Sequence, residues 1–196
     1  MYKEFVFTTA SPTAEDGYAG GGAYLPTHMP WPTSADGTPL VHLLALPARW
    51  LDAHETARWI SVFIPYTPGD VGHYRSLRFK EGGSQAVVLS YLRQPGLRDE
   101  APGKITGCGR VTILLADHED DDENLASKLD GVDAWLQAPL RLENARRRVS
   151  IYGGDLDNAL PGNKGVLSDG MGYLLLSDEF IAGEANGAAG FFLQLG

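Results

Sequence analysis

The alternation of apolar and polar positions along the chain predicts many short strands and few helices. Residues 40–46 are apolar at every position but His42, a pattern suited to a strand buried on both faces. Residues 59–66 combine β-branched and aromatic side chains with little alternation and predict a second such strand. Residues 73–80 alternate, with Arg75, Leu77 and Phe79 on one face and Tyr74, Ser76, Arg78 and Lys80 on the other. Gly82-Gly83 reads as a turn, so residues 74–80 and 85–92 are expected to form a hairpin. Residues 105–115 predict a strand in which Gly107 and Gly109 mark a bulge. Further strands are expected at 4–9, 147–152, 173–177 and 191–195, with a short extended piece at Trp135-Leu136.

Helical spacing is rarer. Residues 47–59 place Trp50, Leu51, His54 and Arg58 three and four apart, with Pro47 suited to a first turn. The acidic run 117–123 precedes Leu125, Ala126 and Leu129, and carboxylates favour a helix N-terminus, so a helix is expected over 122–129. One further turn is expected at 155–160. About nine or ten strands and two or three short helices imply an α+β fold. The short connections favour a mainly antiparallel sheet.

Residues 20–46 hold the densest punctuation. Three glycines, Gly20 to Gly22, precede Pro26, Pro30, Pro32 and Pro39, with Tyr24 and Trp31 among them. Prolines fix φ, so the path is rigid and extended, and Trp31 between two prolines is expected to anchor it in a core. Gly21-Gly22, Leu25-Pro26, Trp31-Pro32, Gly37, Pro39-Leu40 and residues 43–46 resemble the opening signature of the YwqG-like family of bacterial domains of unknown function. Residues 127–137 are similar to a second family element through Lys128-Leu129, Gly131 and Trp135-Leu136-Gln137. Asp130 and Asp133 stand where that element usually carries glycine and proline. Asp169-Gly170 and the strand after it resemble a third. The resemblance and the recurring glycine-then-aromatic-Leu pattern imply one domain, 1–196, with candidate halves 1–116 and 117–196 in comparable sub-sheets.

The chain's 196 residues suffice for a substantial core. Its net charge of -9 argues against binding a nucleic-acid backbone and permits a basic protein partner. A lone cysteine, Cys108, gives no disulfide framework and no cysteine zinc site, and within a strand it is expected to be a buried, inert thiol. The apolar run Phe5 to Phe7 is short for a signal peptide, and no stretch approaches the roughly 20 apolar residues of a membrane span. A cytoplasmic location is the expectation.

Catalytic motifs are missing. The five histidines include no His-Glu-x-x-His spacing, and His54-Glu55 is followed by Arg58 at the position a second histidine would take. The run 117–123 lacks the glycine and spacing of an EF-hand. Arg146, Arg147 and Arg148, with Arg141, form the basic cluster; it could bind an anion, and the favoured reading is that Arg147 or Arg148 pairs with that acidic run. No nucleophile elbow, P-loop or cofactor motif occurs. The reading is therefore a non-enzymatic protein-binding module. The family resemblance adds an association with bacterial toxin-immunity systems. The alternative is a small-ligand binder or enzyme with a pocket between the halves, for which Trp31, Asp36, His42, Trp135, Gln137 and Asp169 are the candidate residues.

Overall fold

The computed structural model describes residues 2–51, 54, 57–80 and 83–196. Ten strands form one sheet: β1 (Lys3–Thr8), β2 (Gly17–Gly20), β3 (Val41–Pro47), β4 (Arg58–Ile64), β5 (Val87–Leu92), β6 (Cys108–Leu115), β7 (Lys128–Leu129), β8 (Arg146–Tyr152), β9 (Met171–Leu176) and β10 (Ala189–Gln194). Three short helices accompany them: α1 (Gly72–Ser76), α2 (Gly153–Ala159) and α3 (Asp178–Ala182). The strand order is β10-β9-β8-β7-β1-β6-β2-β3-β4-β5, and every pairing is antiparallel. The sheet curls into a barrel-like shape. Its edge strands β5 and β10 approach each other, and Leu77 and Ser84 bridge the gap by bonding the β10 backbone at Leu193 and Phe191.

Burial divides by face. The main core lies inside the curl, where Val62, Val111, Val149 and Phe191 meet α2 through Leu156. Two smaller cores lie outside it. One sits under the loop between β2 and β3 and contains Trp31, Trp59 and Phe63. The other sits under the loop between β7 and β8 and contains Tyr173 and Phe192, with Trp135 packed on it.

Outward from the central β1–β6 pair, the two flanks run in the same order. One is β6-β2-β3-β4-β5 and the other is β1-β7-β8-β9-β10. The registers agree too. β3 pairs with β4 from Val41↔Ile64 to Pro47↔Trp59 with a shift between His42 and Leu44. β8 pairs with β9 from Arg146↔Leu176 to Tyr152↔Met171 with a shift between Arg147 and Val149. β2 ends at Gly20, φ 71°, and Gly21 follows at φ 64°; after β7 come Asp130 and Gly131 at φ 54° and 79°.

Several elements differ from expectation. The helix over 47–59 reduces to a 3-10 turn, Ala48–Leu51, because Pro47 still belongs to β3 and Arg58 already belongs to β4; positions 52, 53, 55 and 56 of that expectation lie outside the described residues. The strand over 73–80 is instead α1. His73 and Leu77, four apart, both turn inward, so the period is helical and β5 pairs with β4 rather than in a hairpin. Gly82 of the expected turn lies outside the described residues. The helix over 122–129 does not form. Asp121 accepts from Glu123 N and Asn124 accepts from Ala126 N, local bonds that compete with a helix, and Leu129 enters the core on β7. β6 pairs regularly next to Gly109, and the bulges fall at residues 43 and 148 instead. Trp135-Leu136 lies in an irregular loop. Cys108 opens β6 exposed, not buried, although partial burial of the thiol raises its pKa and keeps it protonated. Among the described residues, no helix is long and apolar enough to cross a membrane.

Candidate binding site

The six candidates from the sequence do not converge. Trp31 is buried, donates from Nε1 to the Leu40 carbonyl at 2.9 Å and packs edge-on against Phe63. His42 touches the other side of Phe63. Its Nδ1 lies 3.0 Å from the Gly20 carbonyl and its Nε2 3.2 Å from the Ser61 hydroxyl, which in turn meets the Tyr91 hydroxyl. Burial pulls the His42 pKa down to about 4. The imidazole is therefore neutral near pH 7: Nδ1 donates to the carbonyl, which can only accept, and Nε2 accepts from Ser61. It is a buried brace for the turn after β2, with no open side for a substrate.

Trp135 belongs to the other flank and leans on Tyr173 with ring centroids 4.8 Å apart. Gln137 is exposed and donates to the Leu195 carbonyl. Asp36 lies in an exposed turn held by Ser34 and Thr38, and Asp169 lies in an exposed turn before β9. The candidates thus fall into two tryptophan-centred cores and two separate turns.

A denser polar constellation, absent from the sequence reading, forms where β1 meets β7. The Tyr2 hydroxyl donates to Glu4 Oε1 at 3.0 Å, contacts His118 Nε2 at 2.5 Å and accepts from Asn124 Nδ2 at 3.0 Å. Lys128 Nζ, fully buried, donates to Asp120 Oδ1 at 2.6 Å and lies over the Tyr2 ring. Asp120 Oδ2 accepts from Val132 N at 2.6 Å and so fixes the turn at Gly131. A cavity of about 490 Å³ opens here, lined by Tyr2, His118, Glu119, Asp120, Gly131 and Val132.

Burial of the Tyr2 phenol raises its pKa, as does Glu4, so it stays protonated near neutral pH. Burial alone would raise Asp120 as well, but Lys128, Val132 N–H and Asn124 outweigh it and hold the carboxyl low. These groups satisfy one another. The arrangement can bind, but it offers no nucleophile paired with a free base. Among the described residues, no three His, Cys, Asp or Glu side chains form a metal-ligating group. Asp120 lies in a loop and Lys128 on β7, so no periodicity within one element relates them, and the sequence carried no local signal for this cluster.

The arginines also take other partners than expected. Arg147 donates from Nε to Asp133 at 2.6 Å and from Nη2 to the carbonyls of Asp130, Gly131 and Val132. Arg148 reaches Asp130 at 2.7 Å and Asp178 at 3.0 Å. It is Lys128, not Arg147, that engages the acidic run, through Asp120.

Comparison with models of known protein families gives no match, and comparison with curated proteins gives none.

Proposed function

We propose that the protein is a non-enzymatic binding module for a basic protein partner, docked beside the β1–β7 junction. The observation that supports this reading is the composition of the surface there. Leu114 and Leu115 end β6 with 60% and 62% of their surface exposed, and Val132 is exposed at the cavity lip. Next to them stand the exposed carboxylates Asp117, Glu119, Asp121, Asp122 and Glu123. Exposed apolar side chains beside a mostly acidic run, with the exposed Lys3 opposite Leu115, suit a partner of net positive charge, steered by the field and held by apolar packing. In the context of the family resemblance, neutralisation of a bacterial toxin is one form such a module takes.

The test is a pull-down from the native host, with any toxin encoded beside the gene included. Wild type is compared with Leu114→Ser/Leu115→Ser and with Glu119→Lys/Asp122→Lys/Glu123→Lys. Exposed substitutions away from special features cost within about 0.5 kcal/mol, so these variants fold. A basic partner held by wild type, released by salt and not retained by either variant is the expected result. No partner above background overturns the reading. The small-ligand alternative is favoured by the 490 Å³ cavity at this junction, and ligand-induced stabilisation that Val132→Trp abolishes would support it instead.

We propose as well that the chain is a YwqG-like α+β domain built from two pseudo-repeated units. The shared outward strand order, the matching bulges and the matching left-handed residues support the repeat. The same order favours pairing β1–β5 with β6–β10, each unit lending its first strand to the other flank. The proposed boundary then falls within 93–107, ahead of the expected 116/117. The resemblance to the family rests on the sequence elements alone.

A further inference from the structure

The rim of the sheet where β3 begins and β4 ends holds a cavity of about 440 Å³, within the size range of small-molecule sites. Pro39, Leu40 and Pro65 give it an apolar wall, and Asp36, Tyr66 and Lys104 give it polar ones. The segments that carry the polar groups are tied down. Asp36 Oδ1 accepts from the Ser34 hydroxyl at 2.6 Å and from Thr38 N at 3.1 Å. The Lys104 carbonyl accepts from Asn163 Nδ2 at 2.9 Å, and the same amide reaches the Tyr66 hydroxyl at 3.3 Å, leaving the phenol proton to point elsewhere. Among the described residues, neither Asp36 nor Lys104 is in an ion pair.

The other flank has a cavity at the corresponding place, where β8 begins and β9 ends, of about 330 Å³ and lined by Asn144, Arg146, Asp178 and Glu179. There opposite charges already pair with each other at the surface: Arg146 lies 3.9 Å from Asp178, and Arg148 lies 3.0 Å from it. At the first rim Asp36 and Lys104 line one cavity and, among the described residues, form no ion pair with each other. A ligand that brings one charge of each sign satisfies both.

We propose that this cavity binds a small zwitterion, an α-amino acid or short peptide with an apolar side chain. Its ammonium meets Asp36, its carboxylate meets Lys104 with Tyr66 as a further donor, and its side chain lies on Pro39, Leu40 and Pro65. The site is separate from the proposed docking surface, so neither reading depends on the other.

Calorimetric titration of the full chain with L-leucine and leucyl-leucine tests it, alongside N-acetyl-leucine, which lacks the ammonium, and leucinamide, which lacks the carboxylate. Removing the charge-assisted hydrogen bond at either end corresponds to about tenfold in affinity or more. The expected result is binding of a zwitterion, with about a tenfold loss for each blocked analogue and for Lys104→Met and Asp36→Asn. Asp36 is exposed and Lys104 half-buried, and neither belongs to a core, so circular dichroism of the two variants should match wild type. Three results overturn the proposal: no heat from either zwitterion up to about 10 mM, equal binding of the blocked analogues, or affinity indifferent to Lys104→Met. Binding of acetate as tightly as leucine would reduce the cavity to a simple anion site and overturn it too.

Discussion

The two flanks of the sheet solve the same backbone problem with different chemistry. In each, a short strand ends in two left-handed residues, Gly20-Gly21 or Asp130-Gly131, and a long loop then crosses the outer face under a tryptophan. In each, the second residue of the following strand reaches back to brace that turn. His42 bonds the Gly20 carbonyl in one flank, and Arg147 bonds the Asp130 carbonyl in the other. The first flank uses a neutral, buried ring among aromatics. The second uses a buried guanidinium answered by Asp133, three carbonyls and Ser150. The position therefore specifies a donor aimed at one carbonyl, not a residue type. The outer cores differ accordingly: one is sealed by a buried Trp31, the other is half-open around Trp135 and wired by ions.

The largest expected break in this comparison comes from the tryptophans. Trp31→Ala removes a ring that is only 5% exposed together with its bond to Leu40, leaving a cavity under a loop stiffened by prolines. The expected cost is about 3–5 kcal/mol, a large share of a typical stability of about 5–15 kcal/mol. Trp135→Ala removes a half-buried ring and one aromatic pair, and about 1–2 kcal/mol is expected. Urea midpoints of both variants test the ranking; equal losses would mean that the two outer cores are sealed alike.

Next in size is Arg147→Met. It leaves three turn carbonyls and Asp133 without their donor in a place where the arginine side chain has no exposed surface. Removing one partner of a buried ionic cluster costs about 3 kcal/mol or more. A loss below about 1 kcal/mol by denaturant titration would indicate that water reaches those carbonyls and that the brace is dispensable.

How much of this was visible beforehand differs between the flanks for physical reasons. Residues 40–46 and 59–66 announce β3 and β4 because both faces of those strands are covered, so every position is apolar. Trp31 was legible as an anchor because proline on either side leaves its ring little freedom. β2 was missed: its four residues are Gly-Tyr-Ala-Gly, with no β-branched side chain to give a strand signal. α3 was missed although its caps were present, Ser177 accepting from Phe180 N and Gly183 at φ 84°. The second flank was harder because its core is partly ionic. Lys128, Arg147 and Arg148 are all buried, and hydropathy assigns each of them to solvent. Their partners lie far along the chain or across loops, a relation that periodicity does not carry. Tyr2 and Glu4, two apart, share a face of the strand path, but His118 is brought to them only by the β1–β6 pairing.

The His42 brace also responds to pH. His42 titrates at about 4 in the folded chain against 6.5 when unfolded. Between those values the unfolded chain binds more protons, so stability rises with pH. The contribution is full above about pH 6.5, falls across the window and is lost below about pH 4. A shift of this size corresponds to a change of about 3 kcal/mol. His42→Gln should flatten the rise of the urea midpoint between pH 4 and 6.5 relative to wild type. An unchanged slope would locate the acid sensitivity elsewhere, with Asp120 the first alternative, since its lowered pKa also makes stability fall as pH drops.

The smallest effect is the sharpest probe of the shared turn. Asp130 adopts φ 54° where the other flank has Gly20 at φ 71°. A side chain at Gly20 would meet Leu160 and Ile105 at 2.7 Å and 2.8 Å, so glycine is required there by space as well as by φ. At Asp130 the side chain has room and points to Arg148 Nε at 2.7 Å. Asparagine tolerates the left-handed region as aspartate does and keeps a carbonyl oxygen for the arginine. Asp130→Asn therefore removes the charge and little else. With the carboxylate 38% exposed and Asp178 still bound to Arg148, the expected loss is about 0.5–1 kcal/mol. Most of it should vanish at high salt, where such a partly exposed pair is screened. A loss above about 2 kcal/mol that salt does not reduce would mean that Asp130 holds the turn through conformation or buried geometry rather than charge. The second flank would then depend on one residue at this turn as strictly as the first depends on Gly20.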